Sequence, residues 1–89
     1  MSLPISRPIF KMMGLDHRID DYEKKGDILP KHSHDFDHSI IVLEGRAKVR
    51  SPSGEIMVEQ YGAALFRAGR EHEIEADEDG TVIINEMPG

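Results

Sequence analysis

Residues 26–38 read GDILPKHSHDFDH and contain three of the chain's five histidines, His32, His34 and His38. His32 and His34 are separated by one residue, so on a β-strand both imidazoles would project from the same face. A fourth histidine, His72, lies in a second glycine-flanked segment far downstream. Rings that converge from one strand, its neighbour and a distant strand can share a transition metal. The stretch therefore predicts a fold organised around these four side chains.

The composition indicates one small acidic domain without cysteine. The chain has 89 residues and is predicted to form a single domain over residues 1–89, in which residues 1–8 are an N-terminal arm. Eleven basic and seventeen acidic residues give a net charge of −6, which argues against a nucleic-acid backbone or an anionic membrane surface as partner. Because cysteine is absent, imidazole or carboxylate groups must hold any metal.

The apolar runs are short throughout the chain. The longest, residues 40–43 and 63–66, fall far below the length of a membrane span. Residues 1–8 contain two prolines and no continuous apolar core, so they do not resemble a secretory signal. These features predict a cytoplasmic location.

Short segments separated by turn signals predict an all-β fold. Residues 38–43 are rich in β-branched side chains, and residues 46–50 alternate strictly between polar and apolar. The turn at 51–54 joins the second segment to residues 55–59 as a hairpin. Further strands are expected at 9–13, at 15–20, from 28 onwards, and at 63–66, 72–76 and 81–85. Many short strands without a helical period indicate a sandwich or a barrel.

Strand alternation directs two histidines inward. His38 shares its strand face with Ile40, and His72 shares its face with Ile74. Buried imidazoles are costly unless their nitrogens are paired, so several of them together favour a shared ligand. By contrast, His17 lies alone among apolar neighbours and is interpreted as a core histidine with satisfied hydrogen bonds.

The histidine stretch resembles the first signature motif of the cupin superfamily. That motif is G-x5-H-x-H-x3,4-E-x6-G, and the order in this chain is Gly26-x5-His32-x-His34-x3-His38-x6-Gly45. The second motif, G-x5-P-x-G-x2-H-x3-N, is similar to Gly62-x6-Gly69-x2-His72. The second match is one residue short before its second glycine, with Arg67 where proline is usual and Ala76 where asparagine is usual.

The resemblance implies a small cupin-type β-barrel, a jelly roll or double-stranded β-helix, with one metal ion in its mouth. His32, His34 and His72 would be ligands, and His38 occupies the position of the family's glutamate ligand. Four neutral imidazoles would leave a divalent ion its full charge and make it a stronger Lewis acid. The alternative is a displaced His38 and a three-histidine site with a wider opening. Zn, Fe, Ni, Mn and Cu are the candidate ions.

Several residues near the histidines can each be interpreted in two ways. Asp35 and Asp37 could accept an imidazole N–H, but as turn residues they need no such role, and the turn interpretation is favoured. Phe36 would either wall the pocket or fill the core. Arg67 and Arg70 could attract a carboxylate substrate, although solvated loop arginines are commoner.

Two functions of different classes fit these features. A metal with open positions could act on a small metabolite in dioxygenase-, isomerase- or lyase-like chemistry. Alternatively, the domain could be a non-catalytic module that senses or binds a small ligand or the metal itself, with a closed tetrahedral site. No phosphate-binding loop or serine-nucleophile motif is present in the sequence.

The outward strand faces are expected to be too apolar for a monomer. Ile41, Leu43 and Ile83 are predicted to face outward, and a symmetric homodimer would bury them.

Overall fold

Nine strands form two antiparallel sheets in the computed structural model, which describes residues 1–88. The strands are β1 (Ile5–Met12), β2 (Leu15–Tyr22), β3 (Ile28–His32), β4 (His38–Glu44), β5 (Ala47–Ser51), β6 (Gly54–Val58), β7 (Ala63–Phe66), β8 (His72–Ala76) and β9 (Thr81–Pro88). One sheet has the order β1-β2-β9-β4-β7, and the other has the order β3-β8-β5-β6. The predicted all-β jelly roll is confirmed. Across residues 1–88 no helix is long and apolar enough to cross a membrane.

The core lies between the two sheets and is built from alternate strand positions. Ile40 and Val42 of β4, Ile74 and Ala76 of β8, and Ile83 of β9 have no exposed surface. Side chains of a strand point alternately to its two faces, so the histidines that open β4 and β8 share this parity. Both are buried, as the alternation predicted.

The prediction that Ile83 faces outward was wrong. Ile83 lies opposite a buried valine of β4 and belongs to the core, whereas its neighbours Val82 and Ile84 are partly exposed. The strand is apolar on both faces, so its sequence has no alternation from which to choose the inner one. In β4, Ile41 is 42% exposed and Leu43 is half-buried, on the outer face as predicted.

The outer face of β2 carries its apolar residues. Ile19 lies opposite Ile84, and His17 lies opposite Glu86. The His17 ring is buried beneath Phe10, with ring centroids 4.3 Å apart, and its Nε2 is 3.0 Å from the Glu86 carboxylate. His17 is therefore buried, as expected, but on the outside of the sheet and not in the core. The prediction that its hydrogen bonds are satisfied was also wrong, because its Nδ1 is buried without a partner in residues 1–88.

The inner face of β2 is polar apart from its last residue. Arg18 lies opposite Asn85, and Asp20 lies opposite Ile83. Tyr22, at the end of the strand, is fully buried in the core cluster. The polar residues of β2 therefore line the interior towards one end of the barrel.

The N-terminal arm is shorter than residues 1–8, because residues 5–8 already belong to β1. This edge strand pairs with β2 and is irregular after Pro8, a residue that has no N–H to contribute to the ladder. The Ser2 N–H donates to the Asp27 carboxylate at 2.9 Å, and the Ile28 N–H donates to the Ser2 carbonyl at 2.8 Å. These bonds hold the start of the chain against β3.

Candidate metal centre

A β-bulge in β3 turns His32 towards the interior. Leu29 lies opposite Ile74 and His32 lies opposite His72, so β3 has one extra residue between these two pairs. Pro30 falls in this interval and cannot donate to the ladder. Without the bulge, alternation from the inward Leu29 would send His32 outward. The bulge instead brings the His32 and His72 rings together, with centroids 4.3 Å apart.

His34 is positioned by a loop and not by the strand. Because β3 ends at His32, the same-strand geometry predicted for the two rings does not apply. The Gly69 N–H donates to the His34 carbonyl at 2.7 Å, and the Ala68 N–H donates to the Asp37 carboxylate at 2.9 Å. These bonds tie the β3–β4 loop to the β7–β8 loop and leave the His34 and His32 ring centroids 4.7 Å apart.

His32, His34 and His72 each present a ring nitrogen within 4.8 Å of the other two. The Nδ1–H of His32 donates to the Pro30 carbonyl at 2.8 Å, and the Nδ1–H of His72 donates to the Arg70 carbonyl at 3.2 Å. Such bonds fix the tautomer and leave Nε2 as the ligating nitrogen. The Nε2 of His72 is buried and has no hydrogen-bond partner among residues 1–88. The three side chains thus fit a divalent transition metal.

Burial favours the neutral imidazole at His34 and His72. The pKa of His72 is lowered to about 4, mainly by desolvation and in smaller part by the neighbouring histidines. Burial is also the largest cause of the lowered pKa of His34. A neutral imidazole has a free lone pair at neutral pH, which is the form that binds a metal.

His38 lies beside this cluster. Its Nε2–H donates to the Asn85 side-chain oxygen at 2.9 Å, and its Nδ1 is buried without a partner in the described chain. Its ring centroid is 5.3 Å from that of His34 and 5.7 Å from that of His72. His38 is outside the group whose nitrogens all lie within 4.8 Å of one another. Burial lowers its pKa as well.

Two aromatic rings support the cluster. Phe36 stacks on His34 with ring centroids 4.8 Å apart, which fits the interpretation of Phe36 as a wall of the site. Phe66 stacks on His72 at 4.0 Å and was not predicted from the sequence. Stacked contacts of this kind restrict ring rotation, so they help to fix the orientation of both imidazoles.

A pocket of about 350 Å³ opens next to the cluster. His32, His34 and His38 line it, together with the polar side chains of Arg18, Asp20 and Asn85. No role was predicted for these last three residues from the sequence. Strand alternation could have placed them on the inner face, because Arg18 and Asp20 share the strand face of Tyr22 and Asn85 shares the face of Ile83.

The other residues singled out in the sequence have structural or solvent-exposed positions. The Asp37 carboxylate accepts a hydrogen bond from the Ala68 N–H and lies 3.3 Å from the Arg67 guanidinium. It therefore links the two loops and has a structural role, in line with the favoured interpretation. Asp35 is exposed and accepts no imidazole N–H in residues 1–88. Arg70 is exposed and lines a separate groove between β6 and β7, of about 410 Å³.

The sequence matches no family model and no curated protein. Solved structures match its fold. A cupin-2 domain containing protein from Shewanella frigidimarina is 23% identical with a TM-score of 0.83, over 96% of this chain and 80% of that one. A cupin superfamily protein from Desulfitobacterium hafniense is 12% identical with a TM-score of 0.84, over 96% and 76%. A cupin 2 conserved barrel domain protein from Leptotrichia buccalis is 21% identical with a TM-score of 0.82, over 97% and 41%.

Proposed function

We propose that this chain, which has the cupin fold, binds one divalent transition metal in the mouth of its barrel and uses it to bind and transform a small metabolite. The observation that carries the proposal is the convergence of His32, His34 and His72 within 4.8 Å beside an open pocket. A closed structural site needs no adjoining pocket, whereas a catalytic site keeps a position open to its ligand.

We further propose that His38 completes a four-histidine set through Nδ1. Its Nε2–H is already bonded to Asn85, so Nδ1 is the nitrogen with a free lone pair. A buried nitrogen without a partner costs free energy, and a metal ligand bond would remove that cost. The centroid distance from His38 to His34, 5.3 Å, is shorter than the 5.6 Å between His34 and His72.

Neutral ligands set the chemistry of such a site. An ion held by imidazoles alone keeps a net double positive charge, which polarises a carbonyl or hydroxyl oxygen and lowers the pKa of bound water. The protein's own contribution is to orient the rings through Pro30, Arg70 and Asn85 and to present a pocket of about 350 Å³. A pocket of this volume suits a small molecule.

Metal analysis of single variants tests the site. His34→Ala should abolish metal occupancy, and His38→Ala should weaken binding by more than about 100-fold, since even indirect partners of a metal contribute 10- to 100-fold. His17→Ala is the matched control, because His17 is buried but bonded to Glu86 outside the cluster. Unchanged metal content in His34→Ala would refute the assignment.

Coordination number tests the catalytic part of the proposal. X-ray absorption of the metal-loaded protein should show imidazole ligands together with an open or water-filled position. Oxygen uptake or product formation with small hydroxy acids and diketones would then identify the reaction. A closed four-coordinate tetrahedron would instead favour the non-catalytic binding module.

We also propose that the chain acts as a symmetric cytoplasmic homodimer. Ile41 lies opposite Ile84, and Ile84 lies opposite Ile19, so an apolar row crosses three adjacent strands on the outer face. Leu65, also on this face, is half exposed. A second copy could bury the row around a twofold axis.

A further inference from the structure

Arg18 is placed at the wall of the histidine pocket by the register of β2. It lies opposite Asn85, the residue that accepts the hydrogen bond from His38. It lines the same pocket as His32 and His34. A cation therefore stands beside the proposed metal site, on a rigid strand and not on a loop.

The guanidinium of Arg18 has no carboxylate partner in residues 1–88. Its one side-chain hydrogen bond there runs from Nε–H to the Ser6 hydroxyl at 3.1 Å. Four other arginines of the chain are paired with carboxylates: Arg7 with Asp21, Arg46 with Asp77, Arg50 with Glu73, and Arg67 with Asp37. Within the described residues the side chain of the sixth arginine, Arg70, bonds only to the Ser53 hydroxyl, and it lines a different groove. Guanidinium geometry matches a carboxylate with two parallel hydrogen bonds, so the unused terminal nitrogens of Arg18 suit an anionic ligand.

Asp20 lies two residues further along the same face and also lines the pocket. Its side chain is buried and has neither a hydrogen bond nor an ion pair within the described residues. A carboxylate accepts hydrogen bonds, so it can receive one from a ligand hydroxyl. Two residues of a strand span about 6.6 Å, which separates the two groups enough to hold different parts of one small molecule.

We propose that this pocket binds a short hydroxy monocarboxylic acid, with its carboxylate on Arg18 and its hydroxyl on Asp20. The assignment rests on the proposed function, since the hydroxyl oxygen, which donates its hydrogen to Asp20, would present its lone pairs to the metal. Leu29 and Met87 supply apolar surface for a short carbon chain. The charge of Asp20 disfavours a second carboxylate, so the pocket should select lactate over malate.

Calorimetric titration of the zinc-loaded protein with lactate tests the proposal. The wild-type chain should bind lactate saturably and prefer it to propionate, which lacks the hydroxyl. Arg18→Met should weaken lactate binding by about 10- to 100-fold, the effect expected from losing hydrogen bonds to a charged group. Asp20→Ala should remove the preference for lactate over propionate.

Arg7→Met is the matched control, because it removes an exposed arginine that is paired with Asp21 and does not line the pocket. It should leave lactate affinity unchanged. Zinc content is measured in each sample, so a wild-type chain without zinc would overturn the proposed function. Zinc-loaded protein that ignores lactate, or an Arg18→Met variant that binds it normally, would overturn this inference alone. If Arg18→Met does not fold, Arg18→Lys, which keeps the charge but not the fork, should still weaken lactate binding.

Discussion

The turn between β4 and β5 gives a direct test of what a motif glycine does in this barrel. Gly45 has a φ of +78°, and a Cβ added there would lie 2.5 Å from Thr81 Oγ1 and 3.0 Å from Thr81 Cα. Thr81 is fully buried, and its hydroxyl donates to the Glu78 carbonyl at 2.8 Å. Gly45→Ala therefore combines a left-handed alanine with an overlap that the neighbour cannot relieve without losing a buried hydrogen bond.

The two contributions can be estimated separately. A left-handed alanine costs about 1–2 kcal/mol, of which the lower entropy of the unfolded chain offsets about 0.4–1 kcal/mol. Overpacking against Thr81 adds about 1–3 kcal/mol. The sum is about 1–4.6 kcal/mol of unfolding free energy, which lowers the Tm of a domain of this size by roughly 4–37 °C.

Gly14→Ala isolates the conformational contribution. Gly14 has a φ of +77°, almost that of Gly45, but an added Cβ there meets no atom within 4 Å. This variant should lose about 1 kcal/mol, or roughly 4–8 °C in Tm. Thermal unfolding followed by circular dichroism measures both variants under one condition. Equal losses would refute the close approach of Thr81 as the reason for glycine at position 45.

Three further predictions concern the core, one anchored carboxylate and the outer sheet face. Ile83→Ala should lower the free energy of unfolding, measured in urea, by about 2–5 kcal/mol because it removes a fully buried side chain. Ile41→Ala should lower the free energy of unfolding of the monomer by roughly half as much or less. Equal losses would contradict the assigned faces. The backbone N–H groups of Lys24 and Ser2 hold the pKa of Asp27 below its ordinary value of 3.8, so its stabilising effect is complete above that pH and is lost as the pH falls through the lowered pKa. Asp27→Asn should therefore reduce the loss of stability as the pH falls through this window. An acid-unfolding curve like that of the wild type would argue against the hydrogen bonds to Asp27 as a source of stability. Ile41→Glu should convert the proposed homodimer to a monomer in light scattering, whereas a wild-type monomer at micromolar concentration would dispose of the interface.

The strand positions were readable from the sequence because glycines and prolines bound short β-branched runs. The strand predicted at 72–76 coincides with β8, and the one predicted at 38–43 is β4 without its last residue. The grouping of His32, His34 and His72 was implied by the resemblance to the two cupin motifs, and not by strand alternation, which does not hold through β3. Local rules suffice where each element is short and its ends are marked.

The register inside β3 was not readable. Alternation from Leu29 would place Lys31 inside and His32 outside, and the bulge reverses this. Pro30 is a sign that the ladder is interrupted, but a proline on an edge strand does not require an extra residue. The position of His34 likewise depends on a hydrogen bond from Gly69, which is distant in sequence.

Strand β2 shows why apolar–polar alternation predicts the wrong inner face when a strand lines a ligand pocket. Its apolar Ile19 faces out and its polar Arg18 and Asp20 face in, the reverse of an ordinary half-buried strand. A polar inner face is stable only where water or a ligand can reach it, and an apolar outer face calls for cover by another surface. A slip of one residue in the β2–β9 register would exchange the two faces. One register thus sets both the polar wall of the pocket and the row Ile19, Ile84 and Ile41, so ligand binding and association should be lost together if it changes.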